Sequence, residues 1–204
     1  MTNSTHSPAG RPSWLVDWLS DASRQSQCHS IALSATCAAD LHGIATAVAD
    51  YLNEFDSQGG CQWRAFGAED LRQFAGDPIC RDLLLAGNRE ADPQPPPRTD
   101  LERITRRLAR IGGVVLEGQC GSDATLDIPE VFHVCLCSTE HASHEAYHLW
   151  VNPSLFEPRS LISVLSDSFL DWSSHPQRPS GSQSPPATSI PGPGNPSRHP
   201  GFGL

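Results

Sequence analysis

The sequence contains no lysine; all 14 of its basic residues are arginine. That absence removes Schiff-base chemistry, lysine general-base chemistry and the lysine with which a phosphate loop grips its anion. Long apolar runs are missing too, and the start, MTNSTHSPAGRPSWLVDWLSDAS, lacks a basic stretch followed by an apolar core. A chain without a membrane partner is expected from this. Positive charge is in deficit: 23 acids leave a formal net charge of −9. No global field draws such a chain to phosphate backbones or anionic surfaces, so nucleic acid is not an expected partner. The seven cysteines are odd in number and have no repeated spacing. They predict small buried thiols rather than a disulfide framework, and hence a reducing, cytoplasmic compartment.

What is present alternates between strand and helix signals. The 204 residues suffice for one domain with a substantial core. HSIALSA (29–35) is an apolar run suited to a buried strand, after which Leu41, Ile44, Ala45, Val48, Tyr51 and Leu52 recur at helical spacing behind Asp40 as a cap. QWRAF (62–66) predicts a second strand, and GAEDLRQFAGDPICRDLLLAG (67–87) one or two helices. RTDLERITRRLARIGG (98–113) predicts a helix with Leu101, Ile104, Leu108 and Ile111 on one face, capped by Thr99 with Glu102 three residues on, and closed by Gly112 and Gly113. VVLEG, VFHVCLC and YHLWVN read as further strands, and EPRSLISVLSDSFLDW as a last helix with Leu161, Val164, Leu165 and Phe169 inward. The alternation implies an α/β domain of three layers, a mostly parallel sheet with helices on both faces.

Three units are therefore expected: an N-terminal segment, 1–27, with a short amphipathic helix; an α/β domain, 28–173; and a Pro/Gly/Ser-rich tail, 174–204, expected to be disordered. From His175 onward the tail carries Arg178, Arg198 and no acid, which leaves −11 on the remainder. DPQPPPR (92–98) reads as a stiff extended spacer. PSWLVDWLSDAS places Trp14 and Trp18 at helical spacing. They pack onto their own domain or serve, like the Pro-rich tail, as an anchor for a protein partner.

Three segments then form a series. RIGGVVLEGQCGSD (110–123) looks like a helix end, a strand and a Gly-Arg-Gly-type turn; VFHVCLCST (131–139) looks like a short strand before a lid; YHLWVNPSLFEPRSLISVL (147–165) looks like a final strand ending in Asn before a helix. Together they resemble the cytidylate kinase-like branch of the phosphate-loop nucleotide kinases, over about residues 30–172. The resemblance implies a nucleoside-monophosphate-kinase-like fold with a nearly absent lid, and a nucleotide ligand carried with Mg.

The departures from that family are chemical. Ala38, Ala39, Asp40 and Leu41 stand where its loop glycines lie, with Gly43 arriving only inside the helix; Gln119 stands where its turn has arginine; the acidic residue of its monophosphate region falls on Ala68, beside Glu69 and Asp70. Nine residues separate Cys137 from Tyr147 where the family has a lid rich in arginines. A phosphate needs converging backbone N–H groups, and phosphoryl transfer needs charge stabilisation. The expected function is accordingly a degenerate, non-catalytic nucleotide-binding or regulatory module. Any nucleotide pocket falls beyond the strand ends, around Ser34, Thr36, Gln119 and Ser138. The alternatives are an active small nucleotide kinase with an atypical loop, using Arg81, Arg106 or Arg107 as replacement charge, and a structural protein-interaction module.

The sequence offers two other chemistries, the first on CLCSTEHASHEAYH (135–148). Cys137, His141, His144 and His148 form an alternative zinc set, against which the strand signal of 147–152 breaks the histidine face. Cys120, in its Gly-Gln-Cys-Gly turn, is a candidate nucleophile without an assignable histidine partner.

Overall fold

The computed structural model describes residues 13–22, 28–55, 61–86, 99–138 and 147–175. Its chain order is α1 (Ser13–Ala22), β1 (Ser30–Ala35), α2 (Leu41–Phe55), β2 (Arg64–Phe66), α3 (Ala68–Gly76), α4 (Pro78–Leu85), α5 (Asp100–Ile111), β3 (Val114–Glu117), α6 (Gln119–Asp123), β4 (Val131–Leu136), β5 (Leu149–Val151) and α7 (Pro158–Ser174). The five strands form one sheet in the order β2-β3-β1-β4-β5, every neighbouring pair parallel. Ile31 of β1 is in register with Val115 on one side and Phe132 on the other.

The central strands read as continuous apolar runs because both of their faces are covered. Ile31, Leu33, Val115, Phe132, Val134 and Leu136 pack with α2 and α7, while Ala32, Val114, Leu116 and Val131 pack with α1, α3, α4 and α5. The result is the three-layer α/β arrangement expected from the alternation of signals. Helix ends follow their caps. Thr99 Oγ1 accepts from Glu102 N at 3.1 Å, and Gly112 and Gly113 adopt φ of 84° and 67° beyond the end of α5. A side chain at Gly112 would also meet the Cys28 carbonyl. Asp77 caps α4 through Ile79 N and Cys80 N, which divides the 67–87 stretch into two helices. In α7, Leu161, Leu165 and Phe169 are buried as expected; Val164 is only half-buried, and Ser166 takes the buried place on its turn.

The N-terminal helix belongs to the domain. Leu15 and Trp18 are fully buried, Trp18 Nε1 donates to the Gln62 carbonyl at 3.2 Å, and its ring meets Phe66 edge-on at 5.6 Å. Trp14 is 38% exposed, lies against Phe66 and Phe74, and has the Arg64 guanidinium 4.9 Å above its ring.

The cysteine expectation needs one correction. Cys80, Cys135 and Cys137 are buried thiols, but Cys28 and Cys61 form a disulfide across 33 residues, joining the approaches to β1 and β2. Spacing along the chain gave no sign of it, because the two meet only once β1 and β2 enter one sheet. Closing a loop of that length contributes about 3–4 kcal/mol in the chain-entropy account. The parallel β4–β5 pair is formed although its crossover is confined to residues 137–148. The tail from 176 lies outside the described residues.

Candidate functional site

In an open parallel sheet, ligands collect beyond the carboxyl ends of the strands, beside the strand from which connections leave in opposite directions. Here that strand is β1, flanked by β3 and β4. Its carboxyl end runs into residues 36–40 and the first turn of α2, and a cleft of about 560 Å³ opens there, lined by Cys37, Asp40, Ile44, Ser138, Asn152 and Ser154 among others. None of its lining residues is an arginine.

The backbone of the connection is turned inward. Thr36 N donates to Leu136 O, Ala39 N to Cys37 O and Leu41 N to Ala39 O, each at 2.9 Å. Donors that would converge on a phosphate in a glycine-rich loop are thus satisfied by neighbouring carbonyls. The head of α2 is also taken. Asp40 Oδ1 accepts from Gly43 N at 3.0 Å, so a carboxylate occupies the positive helix end where an anion would otherwise bind. Gly43 serves that cap: a side chain there would strike the Asp40 carboxylate.

A second carboxylate stands at the end of β3. Glu117, with 13% of its side chain exposed, places Oε1 3.2 Å from His42 Nδ1 on the first turn of α2. Its Oε2 is buried without a hydrogen-bond partner, and a side chain at Gly67, which precedes α3, would collide with Oε1. Asp40 and Glu117 therefore flank the start of α2 with negative charge, and this environment disfavours a phosphate. The Glu117 and His42 contact links positions 75 apart, and no local pattern in the sequence announces it.

Of the expected nucleotide residues, Ser34 is buried and donates its hydroxyl to Val134 O at 3.3 Å, away from the cleft. Thr36 is exposed in the connection, and Ser138 is exposed on the cleft wall. Gln119 opens the five-residue helix α6, after Gly118 at φ 88°; its side chain and that of Cys120 lie outside the described residues. Asn152 accepts from Ser154 N at 3.1 Å and Ser154 Oγ at 2.7 Å, holding the short turn Pro153–Leu155.

Of the zinc alternative, Cys137 and His148 are described and stand apart. Cys137 follows β4 while His148 precedes β5, and the register that sets Val134 opposite Leu149 puts them about four residues apart along the strands, or about 13 Å. His148 Nδ1 instead accepts from His133 N at 2.9 Å. His141 and His144 lie outside the described residues, among which no group of three potential metal-binding side chains occurs. Burial pushes the Cys135 thiol above its usual range and keeps it neutral.

Two of the three candidate replacement arginines have acidic partners. Arg106 is buried in α5, where it grips Asp127 at 2.6 and 2.8 Å and donates to the Ala124 carbonyl at 2.9 Å. The pair holds the Asp127 carboxyl below its ordinary range. Arg81 lies 3.7 Å from Asp82 on α4. No helix is long and apolar enough to cross a membrane among the described residues. Comparison of the chain with protein-family models, curated proteins and solved structures finds no match.

Proposed function

We propose that this chain is a non-catalytic binding or regulatory module built on a frame like that of the cytidylate kinase-like proteins, with its phosphate loop converted to a structural cap. The observation that carries this reading is the Asp40 carboxylate on Gly43 N at the head of α2. A carboxylate fixed there repels the group a nucleotide kinase must hold, and the chain offers no lysine to offset it. The parallel five-stranded order, with the cleft beside β1, supports the likeness in architecture. What enters the cleft does so through uncharged or cationic groups, which suit Asp40, Ser138 and the nearby Glu117.

The alternative of an active kinase loses support from Arg106, whose guanidinium is committed to Asp127. Trp18 is also unavailable as a partner anchor while α1 is docked, which leaves the exposed part of Trp14. Location is where the structure pulls against the sequence: a Cys28–Cys61 bond persists outside a reducing cytosol, so the cytoplasmic expectation fits the form in which it is reduced.

A phosphoryl-transfer assay tests the lack of catalysis. With ATP, CMP and Mg, the full chain should form no ADP or CDP above a protein-free control. Turnover in the range of about 1–100 per second, usual for kinases, overturns the reading.

A further inference from the structure

A second concavity adjoins the cleft, sharing Asp40, Ile44 and Pro153 with it, and runs along the outer surface where α2 and α7 pack side by side. It encloses about 870 Å³, with Ala47, Tyr51, Phe156 and Ile162 among its apolar lining and Asp50 and Glu54 on its α2 edge. Arg159 is the one basic residue that lines it. The two helices run the same way: Asp40 and Pro158 line one end of the groove, and Tyr51 Oη reaches Asp167 at 3.2 Å toward the other. Beyond Tyr51, the Phe55 ring stacks on the tyrosine at 6.5 Å and is 68% exposed. An aromatic line thus runs from the carboxyl end of α2 to the groove, and Phe156, 37% exposed, closes it at the far end.

The chain supplies a segment of matching chemistry. Helix α7 ends at Ser174, and the 29 residues 176–204 that follow carry Arg178 and Arg198, no acid, and prolines throughout. Proline-rich segments dock into aromatic grooves because their extended form is already low in entropy, and arginine adds pairing to acids on the rim. Reach is ample: 29 residues extend to about 90 Å at 3.1 Å each, whereas the return along α7 is about 25 Å. Tethering at the end of a groove-forming helix gives an effective concentration on the order of millimolar, so weak intrinsic affinity suffices.

We propose that the α2–α7 groove is the docking site of this chain's own segment 176–204, with Arg178 or Arg198 paired to Asp50 and Glu54. The proposal does not depend on what the cleft beside β1 holds. It gives the module a built-in competitor for any proline- and arginine-bearing partner that uses the same groove.

Hydroxyl-radical footprinting of the full-length chain tests it, with Tyr51 and Phe156 as the reporting side chains. Arg178→Glu/Arg198→Glu lies outside the described fold and should raise the reactivity of both side chains about threefold, the effect expected of exposed ion pairs. Adding Asp50→Arg/Glu54→Arg to that variant restores opposite charge and should return reactivity to the starting level. Unchanged reactivity in the arginine variant overturns the proposal and leaves the groove to a separate protein. Protection that grows with protein concentration also overturns it, in favour of a second copy of the chain.

Discussion

Trp18→Ala should lower the stability of the whole domain by about 3–5 kcal/mol, the usual cost of removing a large buried aromatic side chain. The residue is 1% exposed, meets the Phe66 ring edge-on at 5.6 Å and belongs to the core on the α5 side of the sheet, so its loss opens a cavity in that core. Its indole N–H also holds the Gln62 carbonyl at the approach to β2. For a chain of this size the midpoint should fall by about 10 °C. Trp14→Ala, at a partly exposed ring, should cost much less. Thermal unfolding followed by circular dichroism measures both. A Trp18→Ala variant as stable as the parent would mean that α1 is an appendage and would favour its use as an anchor for a protein partner.

Acidification should remove about 3 kcal/mol of stability between about pH 6.5 and pH 4, and His133 is the main source. Its side chain lies on β4 at 2% exposure, with Nε2 donating to the Thr125 carbonyl at 3.1 Å and Nδ1 buried without a partner. Burial pushes its pKa down to about 4; the neighbouring His148 acts in the same direction, while the Thr125 carbonyl and Asp127 oppose it. Burial lowers His148 as well. The unfolded chain takes up a proton near pH 6.5, and the folded chain does so only near pH 4. Between those values the unfolded state binds more protons, so stability is complete above the upper value and falls as pH falls. Urea unfolding at about pH 7.5 and about pH 4.5 reads the difference. In His133→Gln, which cannot titrate, that difference should shrink by most of the amount; an unchanged difference would show that His133 is protonated without cost.

Most of the architecture could be read from the chain because it rests on local signals. The apolar run 30–35 and the helical spacing from Leu41 to Leu52 carry β1 and α2, and the Thr99 cap and the Gly112–Gly113 stop frame α5. What escaped reading depends on contacts between distant positions. Helix α6 has five residues and no room for a period. The Cys28–Cys61 bond, the Arg106–Asp127 pair and the Glu117–His42 contact each need the sheet to be assembled before the partners meet. The site was legible as departures: the missing lysine and the Ala38–Leu41 stretch set the expectation of a degraded phosphate loop. That Asp40 would sit on the helix end could be read from its cap position, whereas the burial of Ser34 against Val134 could not.

The central claim is that the connection after β1 no longer holds a phosphate. A thermal-shift titration of the full chain with CMP, CDP, ATP and GTP, each with and without magnesium, tests it most directly. A ligand at about 100 times its dissociation constant adds about 2.7 kcal/mol, which for a chain of this length is a rise of about 5–10 °C. The account predicts no shift with any of the four at millimolar concentration. A saturable, magnesium-dependent rise with one nucleotide would contradict it and show that a phosphate finds donors at the head of α2 despite Asp40.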